Sequence, residues 1–320
     1  MLKKMSIRKI MVASLSLVAL FLIYLMPVAD DDGVIMETLG VEYVYTNTLE
    51  TLYLLDSNGY VARTSISGKY NEVLDIARDV VNALIIDGNR SDIIPNGFKA
   101  LIPSDTEILD ISLTDDILTL NLSKEILSIN ALYEERMIES IIYSLTNIDG
   151  VNKIVLKVEG IVLDKLPNSG KSLPNILDRN YGINKNYNLI NTNNVDSYTV
   201  YYVSKIEDES YYVPITKYVN SNGKEKIKII IDELSSSPIY EENLMSFLSS
   251  DVSLIDYKIE NDILSLNFSD SIFIDKNKSD ILEEVIYTIG LSFYDTYNVK
   301  DVSLLVENEE IYENLLKMLE

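Results

Sequence analysis

Residues 10–29 form an apolar run without a charged side chain, and everything after it alternates between two other hydrophobic periods. At about 1.5 Å per helical residue such a run reaches ~30 Å, one hydrocarbon thickness. Lys3, Lys4, Arg8 and Lys9 precede it, and Asp30, Asp31 and Asp32 follow. The pattern predicts a signal anchor: a cytoplasmic stub at 1–9, a transmembrane helix at 10–29 and an extracytoplasmic body, oriented by the positive-inside rule. The alternatives are a cleaved export signal, for which Pro27 is a poor residue at −3 of a cut after Ala29, and a buried helix.

Beyond a juxtamembrane linker at 30–47, apolar and β-branched runs at 50–55 and 60–67 flank Asp56-Ser57-Asn58-Gly59, a hairpin-turn signal. Val73, Leu74, Ala77, Val80, Val81, Leu84 and Ile85 then recur at the helical period, with Gly88 as a stop. A second hairpin, 108–113 and 117–122, turns at Thr114-Asp115-Asp116. A helix stripe of Met137, Ile138, Ile141, Ile142 and Leu145 follows, and then a strand with Ile154, Leu156 and Val158 alternating.

The plan is repeated. TDDILTLNLS at 114–123 aligns with ENDILSLNFS at 260–269, six of ten positions identical at an offset of 146. The second copy shows strands at 198–203 and 211–219, a helix at 227–234, a hairpin at Asn261-Asp262, a helix from about 279 and a last strand at 302–306. The expected fold class is α+β: an N-terminal transmembrane helix and two tandem β-β-α-β-β-α-β domains at 48–166 and 197–320. Each is expected to hold one sheet with one face buried under two helices, because each helix shows one apolar stripe. The segment 167–196 between them, rich in Asn, Gly, Ser and Pro, reads as an exposed linker.

Composition then narrows the chemistry. The chain has no Cys and no His, which removes disulfides, Cys/His zinc sites, haem ligation and imidazole or thiol catalysis. Residues 30–320 carry 23 basic and 50 acidic side chains, a net −27, which repels nucleic acid. Asp115-Asp116 reads as a turn rather than a carboxylate pair. Asn121 and Asn267 fit the glycosylation pattern but read as strand-end hydrogen-bonding positions. Ser169-Gly170-Lys171-Ser172 lacks the upstream Gly of a phosphate loop, since position 165 is Lys. Asp30-Asp31-Asp32-Gly33 lacks calcium-loop spacing. No catalytic, metal or cofactor residue is nominated. The densest aromatic group, Tyr198, Tyr201, Tyr202, Tyr211 and Tyr212, places phenols on both faces of one hairpin and is the candidate partner surface, against the plainer reading of ordinary strand composition.

The stretch 84–160 resembles the GerMN-domain family of sporulation and spore-germination proteins. The resemblance rests on Gly88, the Gly97–Pro103 approach ending in Ile-Pro, the hairpin ILDISLTDDILTLNLS, the helix core ESIIYSLTNIDGV and the closing IVLKVEG. The second copy keeps hairpin, helix and last strand but has Ser235-Ser236-Ser237-Pro238 where the Gly…Ile-Pro loop would be. The resemblance implies a non-catalytic scaffold acting between mother-cell and forespore membranes. Its partners would be other envelope proteins of the engulfment complex, or copies of itself. Lipoprotein members carry a cysteine to acylate; this chain has none, so a peptide span would take its place. The alternative is a ligand-binding or sensing module for cell-wall or germinant components.

Overall fold

Gly59, at φ +87°, closes the first hairpin between β1 (Leu49–Asp56) and β2 (Val61–Ser67). The computed structural model describes residues 49–320 apart from 208, 221–222, 237–242, 275–279, 314 and 316–320. The expected stub, span and juxtamembrane linker lie outside the described residues. Among the described residues no helix is long and apolar enough to cross a membrane.

Helix α1 (Val73–Leu84) ends three residues before Gly88 is reached, and the short β3 (Phe98–Lys99) returns to pair with β1. The hairpin β4 (Ile108–Thr114) and β5 (Ile117–Leu122), helix α2 (Glu134–Leu145), β6 (Lys153–Val158) and β7 (Ile161–Val162) complete the first repeat. After β8 (Asn186–Asn188) the second repeat runs through β9 (Val195–Ile206), β10 (Glu209–Asn220) and α3 (Lys226–Leu234). It then continues through β11 (Leu254–Glu260), β12 (Ile263–Phe268), α4 (Glu283–Tyr297), β13 (Asp301–Val306) and β14 (Glu309–Tyr312).

The strands divide into three sheets, which corrects the expectation of one sheet per repeat. β4-β5-β6-β7 and β11-β12-β13-β14 have the same order, the same antiparallel, parallel, antiparallel sense, and a β-bulge at the same place in the first strand. The leading hairpins of both repeats join instead into one six-stranded sheet, with β3-β1-β2-β10 in order, β9 along the far side of β10, and β8 parallel to its end. Helices α2 and α4 each contact both the central sheet and the small sheet of their own repeat.

Helix α2 buries a second face that shows no apolar stripe, because that face is polar. Ser140 Oγ donates to the Tyr53 carbonyl at 2.5 Å, and the Tyr53 N–H donates to Ser144 Oγ at 2.8 Å; both serines are buried. In the second repeat the Tyr201 N–H donates to Ser292 Oγ at 2.9 Å, and Thr296 Oγ1 meets both main-chain groups of Thr199. These helices therefore cap the outer edges of β1 and β9 with hydroxyls, protecting edges that would otherwise recruit another strand.

The segment expected to be an exposed linker is structural. Leu173, Leu177 and Ile183 are buried, and Leu177 exchanges two 2.8 Å backbone hydrogen bonds with Ile154. Asn184, at φ +46°, sits in the seam where β2 meets β10. The two strands form one direct rung, Tyr212 opposite Arg63; one rung on, Pro214 stands opposite Val61 and has no N–H to offer. Asn184 takes that place. Its Oδ1 accepts from the Val61 N–H at 2.9 Å, and its Nδ2 donates to the carbonyls of Val61 and Pro214 at 2.7 Å each. Gly97, at φ +87°, lets the β3 approach pass Ile206 of the other repeat, where a Cβ would stand 2.6 Å from Ile206 Cδ1.

Asn184→Ala leaves three buried main-chain groups without partners at about 1–3 kcal/mol each. A loss of roughly 3 kcal/mol is expected in equilibrium urea unfolding, against under ~0.5 kcal/mol for Asn193→Ala on the surface. Equal losses for the two variants would show that the side-chain clip does not hold the seam.

Candidate functional site

The five nominated tyrosines lie on one long hairpin, and its alternation sends Tyr198 and Tyr202 to one face and Tyr201 to the other. On the first face the Tyr198 and Tyr202 hydroxyls donate to Glu233 of α3 at 3.3 and 3.2 Å, and Lys217 Nζ meets the same carboxylate at 2.5 Å. Burial, reinforced by Glu233, pushes the Tyr198 phenol far above its ordinary range, so it acts as a neutral donor.

On the other face Tyr201 reaches the centre of the molecule. Its hydroxyl donates to Asp295 Oδ2 at 2.5 Å and lies 2.9 Å from the Tyr53 hydroxyl. Tyr53 and Tyr201 occupy equivalent positions of the two repeats, 148 residues apart, as do the serines that bind their N–H groups, Ser144 and Ser292. Arg179, from the inter-repeat segment, lies across this pseudo-symmetric point. It is ion-paired to Asp295, donates through Nη2 to Asn147 Oδ1 at 3.3 Å and through Nε to Thr146 Oγ1 at 3.0 Å. Its guanidinium carbon stands 4.9 Å from the ring centre of Tyr143 and 5.5 Å from that of Tyr294. Asn147 and Asp295 are themselves equivalent positions, so one cation joins the turn after α2 to the last turn of α4. Burial disfavours that charge, but Asp295 and the surrounding phenol oxygens hold it, and the guanidinium stays protonated.

Tyr211 donates to Asp56 Oδ2 at 2.8 Å and meets the Phe98 ring edge to face, joining β10 to the turn of the first hairpin. Burial, opposed by Ser204 and reinforced by Asp56, raises its phenol to about 12. Tyr212 stacks on Tyr287 of α4, ring centres 4.8 Å apart, beside its rung to Arg63. Tyr198, Tyr201, Tyr202 and Tyr211 are buried and Tyr212 is half-buried. The expectation of a wet or docked tyrosine face is therefore corrected: four of these phenols hydrogen-bond groups of their own chain, and two of them, Tyr201 and Tyr211, reach the other repeat. The edge next to them is capped by α4.

The other motifs resolve simply. Asp115, Asn261 and Asp262 take left-handed φ values in hairpin turns. Asn121 and Asn267 each accept a backbone N–H, from Gly160 at 2.8 Å and Asn308 at 3.0 Å. The backbone N–H groups of Asn168 and Ser169 are engaged by the Glu134 carboxylate. Among the described residues no group of three or more acidic side chains is placed to hold a metal ion.

One buried acid has no counterpart in the sequence reading. Glu50 of β1 lies beside Asp79 of α1, under Arg90, whose Nε is 3.0 Å from Asp79 Oδ2 and whose Nη2 donates to the Ser67 carbonyl at 2.8 Å. Both Glu50 oxygens are enclosed without a well-aligned partner. Burial, reinforced by Asp79, pushes the Glu50 carboxyl up to about 7.

Arg179, Asp295, Asn184 and Glu50 were missed. For Asp295 the sequence offset of 146 sets Asn147 against Phe293; only the offset of 148 seen in the structure pairs Asn147 with Asp295, a new charge at an equivalent point. Arg179 and Asn184 lie in a segment without periodicity and carry no signal either.

The family model described as Germane, sporulation and spore germination, matches residues 51–164 and again 199–312. The chain is 31% identical over 278 residues to the spore germination protein GerM of Bacillus subtilis (strain 168), an alignment covering 85% of this chain and 75% of that one. Its structure is similar to the tandem GerMN domains of the sporulation protein GerM from Bacillus subtilis, with TM-score 0.74 and 30% identity, covering 82% of this chain and 92% of that one.

Two predictions follow from the buried charges. Arg179→Met strands Asp295 and is expected to cost about 3–5 kcal/mol, while the double variant with Asp295→Asn costs clearly less than the two single losses together. Additive losses in a denaturation cycle would contradict the pairing. For Glu50 the folded value of about 7 lies above the ordinary 4.5, so the folded state holds the extra proton and stability falls as pH rises from about 4.5 through 7. Glu50→Gln removes that loss, so its midpoint gain over wild type should grow from pH 5 to pH 8, towards the order of 3 kcal/mol; a pH-independent difference would refute it.

Proposed function

The chain belongs to the Germane family of sporulation and spore germination proteins, and from that membership we propose that it is a membrane-tethered, extracytoplasmic, non-catalytic scaffold of spore formation or germination. The observation that carries the reading is that both halves of the chain match the same family model and share one central sheet. In this proposal residues 10–29 span the membrane, residues 1–9 stay in the cytoplasm, and the acidic body projects beyond it. The seam at Asn184 and Arg179 fixes the spacing of the two repeats, so surfaces on both are presented together. Tethering confines them to a thin layer and raises their effective concentration for envelope partners and for one another. The net −27 of the body supports a protein partner rather than nucleic acid.

The ligand-binding alternative has one feature in its favour, a groove of about 260 Å³ between the repeats beside Thr146, Arg179, Tyr294 and Asp295. It is smaller than the ~300–1,000 Å³ of ordinary ligand pockets. Both of its cations already have partners in its lining, Arg179 with Asp295 and Lys153 with Asp116.

Deletion of the gene in its native host is expected to lower the yield of heat-resistant spores or their germination, with restoration by the wild-type chain. Unaltered spores and germination would sink the proposal. Protease added to intact cells should remove the body while an epitope at the N-terminus survives. A reproducible thermal shift with peptidoglycan fragments would favour the alternative.

A further inference from the structure

The two repeats differ at one place where the first shows what the second lacks. At an offset of 150, Ala77, Val80, Val81 and Leu84 of α1 correspond to Ile227, Ile230, Ile231 and Leu234 of α3, and all eight are buried. One turn earlier, Val73 and Ile76, which pack against the first core, correspond to Gly223 and Lys226, and α3 begins a turn later than α1. In the first repeat α1 packs across β4, and α3 makes no comparable contact with β11.

The consequence is read in exposure. Ile111 of β4 is 7% exposed, while its equivalent Tyr257 is 40% exposed; Leu113 is half-buried, while its equivalent Ile259 is 48% exposed. Tyr257 and Ile259 pair with Leu266 and Leu264, both core residues, so they lie on the core face of the second small sheet. Beside them a groove of about 650 Å³ opens between α3 and Leu254. β11 is also the first strand of its sheet, with one side unpaired among the described residues.

We propose that β11 is a self-association edge, at which two copies of this chain pair antiparallel about a two-fold axis through Tyr257. The strand is complementary to itself in that register. Tyr257 faces its own copy on the core face and Asp256 faces Lys258 on the other, so ring meets ring and opposite charges meet; Ile255 stands at the bulge, opposite Ile259. This register runs regularly over 256–258, and the bulge between Leu254 and Asp256 interrupts it beyond. Sliding by two in one direction sets Lys258 against itself and Asp256 against Glu260; the other direction sets Asp256 against itself. In the single chain Lys258 Nζ pairs with Glu260 of its own strand at 2.6 Å, an exposed contact that the cross-strand partner replaces. The fold already joins its repeats this way, β2 to β10, edge to edge. In the central sheet α2 and α4 already hold main-chain groups of β1 and β9, and the outermost strands β3 and β8 are only two and three residues long. A strand-sized contact between two acidic bodies is at the small, weak end of protein interfaces.

The absence of cysteine makes the register directly measurable. Single-cysteine full-length chains in a mild non-ionic detergent are oxidised and resolved on non-reducing gels. Tyr257→Cys, which faces itself, is expected to cross-link at least about tenfold faster than Ser112→Cys on the equivalent edge of β4. Lys258→Cys should cross-link to Asp256→Cys when the two are mixed, and less to itself. Lys258→Asp alone should abolish the dimer seen by sedimentation equilibrium, and addition of Asp256→Lys should restore it. All four positions are exposed, so folding is not at risk. Cross-linking no faster than Ser112→Cys, a monomer throughout to about 200 µM, or a dimer indifferent to the charge swap would overturn the proposal. None of these outcomes depends on the spore phenotype or on where the body lies, so this inference and the scaffold reading can fail separately.

Discussion

The seam between β2 and β10 is the constraint on which the rest of the structure depends. Two copies of one folding unit can share a sheet only if every main-chain group along the join finds a partner, and Pro214 withholds a donor there. Asn184 supplies an acceptor and two donated bonds from a single side chain, and its own N–H binds Glu139 Oε2 of α2 at 3.1 Å. The segment that delivers Asn184 also delivers Arg179, so the stretch between the repeats is where their relative position is set. A segment with those duties must be ordered, which explains the buried Leu173, Leu177 and Ile183.

Polar chemistry in the interior is used for joining. Hydroxyls of Ser140, Ser144, Ser292 and Thr296 close sheet edges, phenols of Tyr53 and Tyr201 meet across the pseudo-symmetric centre, and Arg179 spans equivalent points of the two repeats. Tyrosine suits this role because burial keeps the phenol neutral while leaving it able to donate. The high tyrosine and absent tryptophan and cysteine content thus describe a core cross-linked by hydrogen bonds rather than by sulfur.

Duplication then diverged by what each repeat does with shared positions. The small sheets keep their order, their bulge and their strand-end asparagines. The first turn of the leading helix does not survive in the second repeat, and Tyr257 and Ile259 emerge at its surface as a result. The central sheet is thus the fixed frame, and the open place is an edge of one small sheet.

Local pattern alone was enough for the repeat, the hairpins and the helix stripes, since a turn such as Asn58-Gly59 and a period such as Val73 to Leu84 depend on near neighbours in the chain. Burial of Glu50, the number of sheets and the fate of the tyrosines were not legible there. The sequence shows that Tyr198 and Tyr202 share a face opposite to Tyr201, but α3 and α4 decide that both faces are covered. Residues 91 apart, Tyr53 and Ser144, make a polar helix face a buried one, and residues 30 apart, Asn184 and Pro214, turn a Gly- and Asn-rich stretch into a clip. What the sequence by itself determined was each element and its repetition, because those follow from short-range periodicity. What only the tertiary structure decided was which edges and polar groups are closed, because a hydrogen-bond partner distant in the chain leaves no period in it.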